Sequence, residues 1–109
     1  MSFSAEIAAT RRFFLLGILT QAPPLFKANN RAIHRGLIAD CPYPPSLDQV
    51  NGDIQWLSEQ GLVAIERFDA PDGGGSSKTI VARLTARGDD VAHGRAIVPG
   101  VEAPAPLVD

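Results

Sequence analysis

The spacing of hydrophobic residues predicts three helices in the first sixty positions of the chain. The first extends over about residues 4–20 and ends before Pro23-Pro24, because proline cannot continue a helix. The second extends from Asn29 or Asn30 to Ile38. The third follows the N-cap Ser46 and reaches Gln60. Its apolar residues recur every three or four positions and form the stripe expected to face the core: Leu47, Val50, Ile54 and Leu57.

The pattern changes to alternation after Gly61. Residues 62–68 and 78–84 are predicted to be two strands joined by a long Gly-rich turn over 69–77. Thr85 then caps a final helix that is expected to reach about Ala96. The predicted fold class is mostly α with a small β-hairpin, in the order helix, helix, helix, strand, turn, strand, helix. This order is typical of a winged helix-turn-helix domain, here assigned to residues 1–96.

Residues 97–109 are predicted to be an extended, Pro-containing C-terminal tail. Two alternatives remain open for it. Either the tail is disordered, or Ile97, Val98 and Val101 fold back on the domain or on a dimer partner.

Length and charge limit the classes of function. The 109 residues are enough for one domain with one core, and ten Lys and Arg against twelve Asp and Glu give a net charge of −2. That balance differs from the basic charge of most nucleic-acid binders. The longest apolar run, Phe13 to Leu19, is too short to span a membrane. The single cysteine, Cys41, excludes an internal disulfide and fits a reducing compartment, and no signal-peptide pattern is present.

Two segments resemble winged-helix regulators of the ArsR, MarR and PadR type. One contains Ser46, Val50, Ile54, Leu57 and Gly61-Leu62-Val63, and is similar to their recognition-helix segment. The other, Leu84-Thr85-Ala86-Arg87-Gly88, resembles the segment that follows the wing. Together with the residues from Gly94 to Val101, these segments are similar to a group of small proteins from transposable, Mu-like bacteriophages. The resemblance implies a winged-helix fold and a location in the cytoplasm of a bacterial host, and it carries no established activity with it.

DNA binding is the first functional hypothesis, with the predicted helix 46–60 and the Gly-rich wing 69–78 on the duplex, as in a transcriptional regulator. Asn51 and Gln55 have the side-chain amides that can bond bidentately to adenine. Cations that could contact phosphates lie on other elements: Arg31, Arg35, Arg67 and Lys78. Against this hypothesis, the third helix carries three acids and neither Lys nor Arg: Asp48, Asp53 and Glu59.

A protein-interaction module that does not bind DNA directly, with a phage or host protein as partner, is the alternative hypothesis. Trp56 lies off the buried stripe, so it either contacts a partner or packs against helix two or the base of the wing; packing is favoured. Phe13 and Phe14 give the first helix more apolar surface than one contact needs. A homodimer through the first and last helices is therefore expected.

No pattern in the sequence indicates catalysis, a metal or a cofactor. Cys41, His34 and His93 lack the spacing of metal ligands. The run from Gly73 to Thr79 resembles a phosphate-binding loop but lacks a Gly before Lys78 and precedes a strand. The sequence therefore predicts a protein that is not an enzyme.

Overall fold

The computed structural model describes residues 3–68 and 79–104. Four helices and three strands lie in these ranges, so the predicted helices and the pairing of the two predicted strands are confirmed in outline. The described fold is mixed α/β. Its elements are, in chain order, α1 (Phe3–Thr20), β1 (Lys27–Asn29), α2 (Asn30–Asp40), α3 (Leu47–Glu59), β2 (Val63–Phe68), β3 (Thr79–Leu84) and α4 (Ala86–Ala92).

The hairpin predicted from the sequence belongs to a three-stranded antiparallel sheet with the order β1-β3-β2. Strand β3 pairs with β2 from Thr79 opposite Phe68 to Leu84 opposite Val63. On its other side, β3 pairs with β1, where Lys27 lies opposite Arg83. Strand β1 has three residues, too few to show an alternating pattern, and it forms through pairing with a strand more than fifty residues away.

The core lies between the helices and the inner face of the sheet. Its described members come from every helix, from β2 and β3, and from the C-terminal segment; they include Leu15, Leu16, Leu19, Ile33, Leu37, Val50, Ile54, Leu57, Leu62, Ile80, Ala82, Leu84, Val91 and Val98. The predicted buried stripe of α3 is confirmed at Val50, Ile54 and Leu57, whereas Leu47 is only half-buried.

Side chains cap three of the helices. Ser46 and Gln49 form a reciprocal capping box at the start of α3. Asn29 accepts a hydrogen bond from the Ala32 amide at the start of α2, and Thr85 accepts one from the Gly88 amide at the start of α4. These caps fix the beginnings of the helices close to where the sequence predicts them.

Helix α4 is shorter than predicted: it ends at Ala92 and not at Ala96. Gly94 has φ of +77°, a left-handed conformation that ends a helix and that other residues rarely adopt. The chain then turns, and the backbone amides of Arg95 and Ala96 bond to the Asp90 carbonyl.

The C-terminal segment 97–104 packs on α1 of the same chain. Val98 and Val101 are buried, while Ile97 is 76% exposed. The Glu102 amide donates to the Ala9 carbonyl at 3.1 Å. Residues 97–104 therefore fold back on their own domain, which is one of the alternatives predicted for the tail. Residues 105–109 and the predicted wing 69–78, with the candidate Lys78, lie outside the described residues.

Candidate nucleic-acid interface

Helix α3 presents a polar face away from the core, because its apolar residues are used for burial. Asp48, Gly52 and Glu59 are exposed on it, and Asn51 and Gln55 are half-buried. The two amides predicted to read bases therefore lie at the border between the exposed face and the neighbouring elements.

Arg67 brings a positive charge to α3. It lies in β2, opposite Ile80 of β3, and its Nη2 donates a hydrogen bond to Oε1 of Gln55. The amide nitrogen of Gln55 in turn donates to a carboxylate oxygen of Glu59 at 3.2 Å. Helix α3, which has no Lys or Arg of its own, thus has a guanidinium bound at the border of its exposed face.

A buried asparagine joins α2, α3 and β3. The Asn30 side chain is fully buried; its Nδ2 donates to Oδ1 of Asn51 at 2.9 Å, and its Oδ1 accepts from the Ile80 amide at 3.3 Å. A buried amide must find such partners, since leaving it unsatisfied costs free energy. This bond fixes Asn51 beside the start of α2.

Arg31 lies next to this junction, and its Nη1 donates to the Thr79 hydroxyl at 3.3 Å. Arg35 is exposed one helical turn further along α2. The structure therefore brings Arg31 and Asn51 close to the same junction, and brings Arg67 and Gln55 into contact with each other.

Asp53 is the feature of α3 that sequence reasoning missed. Its side chain is 3% exposed and accepts hydrogen bonds from Nε and Nη2 of Arg11, the second at 3.0 Å. Arg12 also reaches it, with 3.4 Å between Nε and Oδ1. The hydrogen bond to Asp53 raises the pKa of Arg11 above its ordinary value, which outweighs the lowering effect of burial.

The paired Asp53 changes the charge of the α3 surface. Of the three acids counted against DNA binding, one is buried and neutralised, and the outer face presents only Asp48 and Glu59. A signal for this was present in the sequence. Asp53 follows Val50 by three positions and precedes Leu57 by four, so it lies on the buried stripe.

Trp56 is half-buried against the core, next to α1 and the C-terminal segment. The Arg12 guanidinium lies 4.1 Å from the centre of its ring, within cation–π range. The ring also approaches Gly100 so closely that a Cβ there would lie 2.7 Å from it. Arg12 also donates to the Gly100 carbonyl at 3.0 Å, so Arg12, Trp56 and Gly100 contact one another.

Phe13 and Phe14 form the wall of an apolar groove between α1 and α2. Their rings meet edge to face at 5.8 Å, and the groove, of about 640 Å³, continues along Gly17 and Ile18 of α1 to Gly36 of α2. Asp40 contributes the single charged side chain among its described lining residues. None of the described residues of α4 lines it.

Among residues 3–68 and 79–104, no three side chains of His, Cys, Asp or Glu come together in a way that could hold a metal ion. None of the described helices combines the length and the apolar character required to cross a bilayer.

No protein-family model matches this chain, and no solved structure matches it. A relative is found in Escherichia phage Mu, under the description "Uncharacterized protein gp26". The two sequences are 40% identical over 86 residues, which cover 75% of this chain and 80% of the phage protein. With identity and coverage at this level, the chain belongs to the same family as gp26 of phage Mu.

Proposed function

We propose that this chain is a winged-helix DNA-binding protein of the transcriptional-regulator type, acting in the cytoplasm of a bacterial host with α3 and the hairpin on the duplex. The observation that carries the proposal is the bond between Arg67 and Gln55. It puts a cation at the border of the exposed face of α3, where affinity for phosphates would otherwise be lacking.

The order of elements supports this interpretation. A short strand precedes α2, α3 follows after a brief turn, and an antiparallel pair comes directly behind α3. This is the order expected of a winged helix, in which the third helix enters the major groove and the strand pair flanks it. The fold alone does not fix the function, so the side chains must carry the rest of the argument.

The charges near α3 provide that support. Burial of Asp53 removes one of three acids from the surface, while Arg31 and Arg67 flank the helix from α2 and β2. Asn51 keeps an amide nitrogen beyond its bond to Asn30, which suits contact with adenine. Gln55 would exchange its bonds to Arg67 and Glu59 for a base edge, which would free Arg67 for a phosphate.

The double variant Arg31→Ala/Arg67→Ala is expected to bind a duplex more weakly and with a smaller dependence on salt. Each lost phosphate contact lowers the slope of log K against log salt by roughly 0.9, so the slope should fall by about 2. The measurement is fluorescence anisotropy of a labelled random-sequence duplex, at low salt and near physiological salt.

The matched control is Arg87→Ala/Arg95→Ala, which removes the same charge from α4 and the turn after it. This variant should keep the slope of the unmodified protein. Absence of duplex binding by the unmodified protein even at low salt would contradict the proposed function. A slope equally reduced in both double variants would contradict the assignment of the phosphate contacts to Arg31 and Arg67.

The apolar groove favours a second candidate function, docking of a phage or host protein. Interface centres are rich in aromatic residues, and Phe13 and Phe14 offer an aromatic pair next to an open apolar groove. Trp56 is less available for protein docking, because Arg12 and Gly100 already contact its ring. A protein that binds no duplex and is monomeric would favour this candidate.

A homodimer through α1 is part of the main proposal. Because α4 packs against α1 within one chain, the groove with Phe13 and Phe14 is the surface of α1 open to a second copy. Light scattering at tens of micromolar should give twice the mass of the 11.6 kDa chain, and Phe14→Ser should give the monomer mass. Phe68→Ser, which changes a half-exposed Phe of β2, is the control and should stay dimeric. A monomeric unmodified protein would contradict the dimer.

A further inference from the structure

We propose that the outward face of the sheet is a second phosphate-binding surface, centred on Lys27 and Arg83, for the backbone of a nucleic acid. This inference rests on the proposed DNA-binding function and extends it to a part of the molecule away from the outer face of α3. The two cations lie directly opposite each other on β1 and β3, and both are exposed.

The alternation of β3 places them on the outward face. Ile80, Ala82 and Leu84 point to the core and are buried, so the intervening residues, which include Arg83, point away from it. Lys27 is the exposed neighbour of Arg83 on β1, and Ala64 is its neighbour on β2. The pair therefore has a small side chain on one side and open solvent around it.

Two like charges at directly opposed positions destabilise a sheet. Within the described ranges, neither Lys27 nor Arg83 belongs to an ion pair; the ion pairs there involve Arg11, Arg12, His93 and Arg95. Glu66 is the acid that shares this face, but it lies opposite Val81 and so only diagonal to Arg83. One acid at that distance leaves the repulsion between the two cations largely uncompensated.

A phosphate between the two side chains would remove this repulsion, because it supplies negative charge and several acceptor oxygens at one point. The surface is also continuous with the proposed interface. Thr79, which receives the Arg31 hydrogen bond, stands four residues before Arg83 on the same outward row of β3, a distance of about 13 Å at the rise of a strand. Contacts of this kind position a protein on nucleic acid without reading its sequence.

The test is the double variant Lys27→Gln/Arg83→Gln, compared with Arg87→Gln/Arg95→Gln as a control of equal charge. Duplex binding is measured by anisotropy over a range of salt concentrations, and thermal unfolding is measured on the same samples. We expect the sheet variant to lower the salt slope by about 2 and to unfold at a temperature no lower than the unmodified protein. The control should leave the salt slope unchanged.

Titration of inorganic tripolyphosphate, followed by NMR shifts of the Lys27 and Arg83 amides, separates the two sources of phosphate. Duplex binding with an unchanged salt slope in the sheet variant overturns this inference and leaves the proposed function standing. Tripolyphosphate binding that the sheet variant abolishes, in a protein that binds no duplex, overturns the proposed function and keeps a site for free polyphosphate. Absence of both duplex binding and tripolyphosphate binding overturns this inference and the proposed function together. A lower unfolding temperature of the sheet variant overturns the inference, because it would show that Lys27 and Arg83 stabilise the fold.

Discussion

Replacing Asp53 with alanine is expected to lower the free energy of unfolding by about 3–5 kcal/mol. Most of this loss comes from the unpaired Arg11 charge that the substitution leaves behind, and less from the lost attraction between Arg11 and Asp53. The Arg11 guanidinium, 11% exposed, would keep its charge in a mostly buried position without a carboxylate beside it. Natural domains of this size have about 5–15 kcal/mol of stability in total, so this single change would remove a large part of it.

Urea unfolding followed by circular dichroism measures the effect as a lower midpoint at unchanged slope. Asp48→Ala is the matched control, since it removes an exposed acid from the first turn of the same helix and should cost only about 0.3–1 kcal/mol. The double variant Arg11→Met/Asp53→Leu should recover most of the loss, because apolar residues of similar volume can replace a buried ion pair. A loss for Asp53→Ala no larger than that of Asp48→Ala would show that Asp53 does not stabilise the junction.

The stability that the Arg11–Asp53 pair contributes depends on pH through the titration of Arg11, and the direction of that dependence follows from the pKa shift. The hydrogen bond to Asp53 raises the pKa of Arg11 above its ordinary value. A base with a raised folded-state pKa contributes stability that is complete below its unfolded pKa and is lost only as pH rises through the folded value. Titration of Arg11 therefore leaves the pair intact at every pH at which folding is normally measured.

The helices of this protein could be predicted because their signals are local. Ser46 and Thr85 cap the helices that follow them, and the stripe of α3 is legible at helical spacing. Strand β1 could not, because three residues carry no period and its pairing with β3 is decided by tertiary contact. The sequence prediction extends α4 too far, to Ala96, although Gly94 is a local reason for the helix to stop earlier.

The candidate site was less predictable, because its side chains meet across long sequence separations. The three acids of the third helix oppose DNA binding only where they reach solvent; Asp53 lies on the buried stripe, and nothing local in the sequence shows that Arg11 lies against it. Trp56 likewise contacts Arg12 and Gly100, both more than forty residues away in the sequence. Composition measures the charge of a segment, but only the packing decides which charges reach solvent.

Gly88→Ala is expected to lower the free energy of unfolding by about 2–3 kcal/mol, although alanine is the better helix former. A Cβ at this position would lie 2.0 Å from the Leu62 carbonyl oxygen and 2.8 Å from the Leu84 side chain. The Leu62 carbonyl cannot easily move away, because it accepts from both the amide and the hydroxyl of Thr85, at 3.2 and 2.9 Å. The Thr85-Ala86-Arg87-Gly88 segment is therefore a structural contact between α4 and the start of β2.

Gly52→Ala in α3 is the matched control for this change. Gly52 is exposed, lies within the helix and has no atom within 4 Å of an added Cβ, so alanine there should raise stability by about 0.5–1 kcal/mol. Thermal unfolding should therefore shift in opposite directions for the two glycines. An unfolding temperature raised by both variants would show that α4 can move away from Leu62, and the close contact would then not explain why glycine occupies position 88.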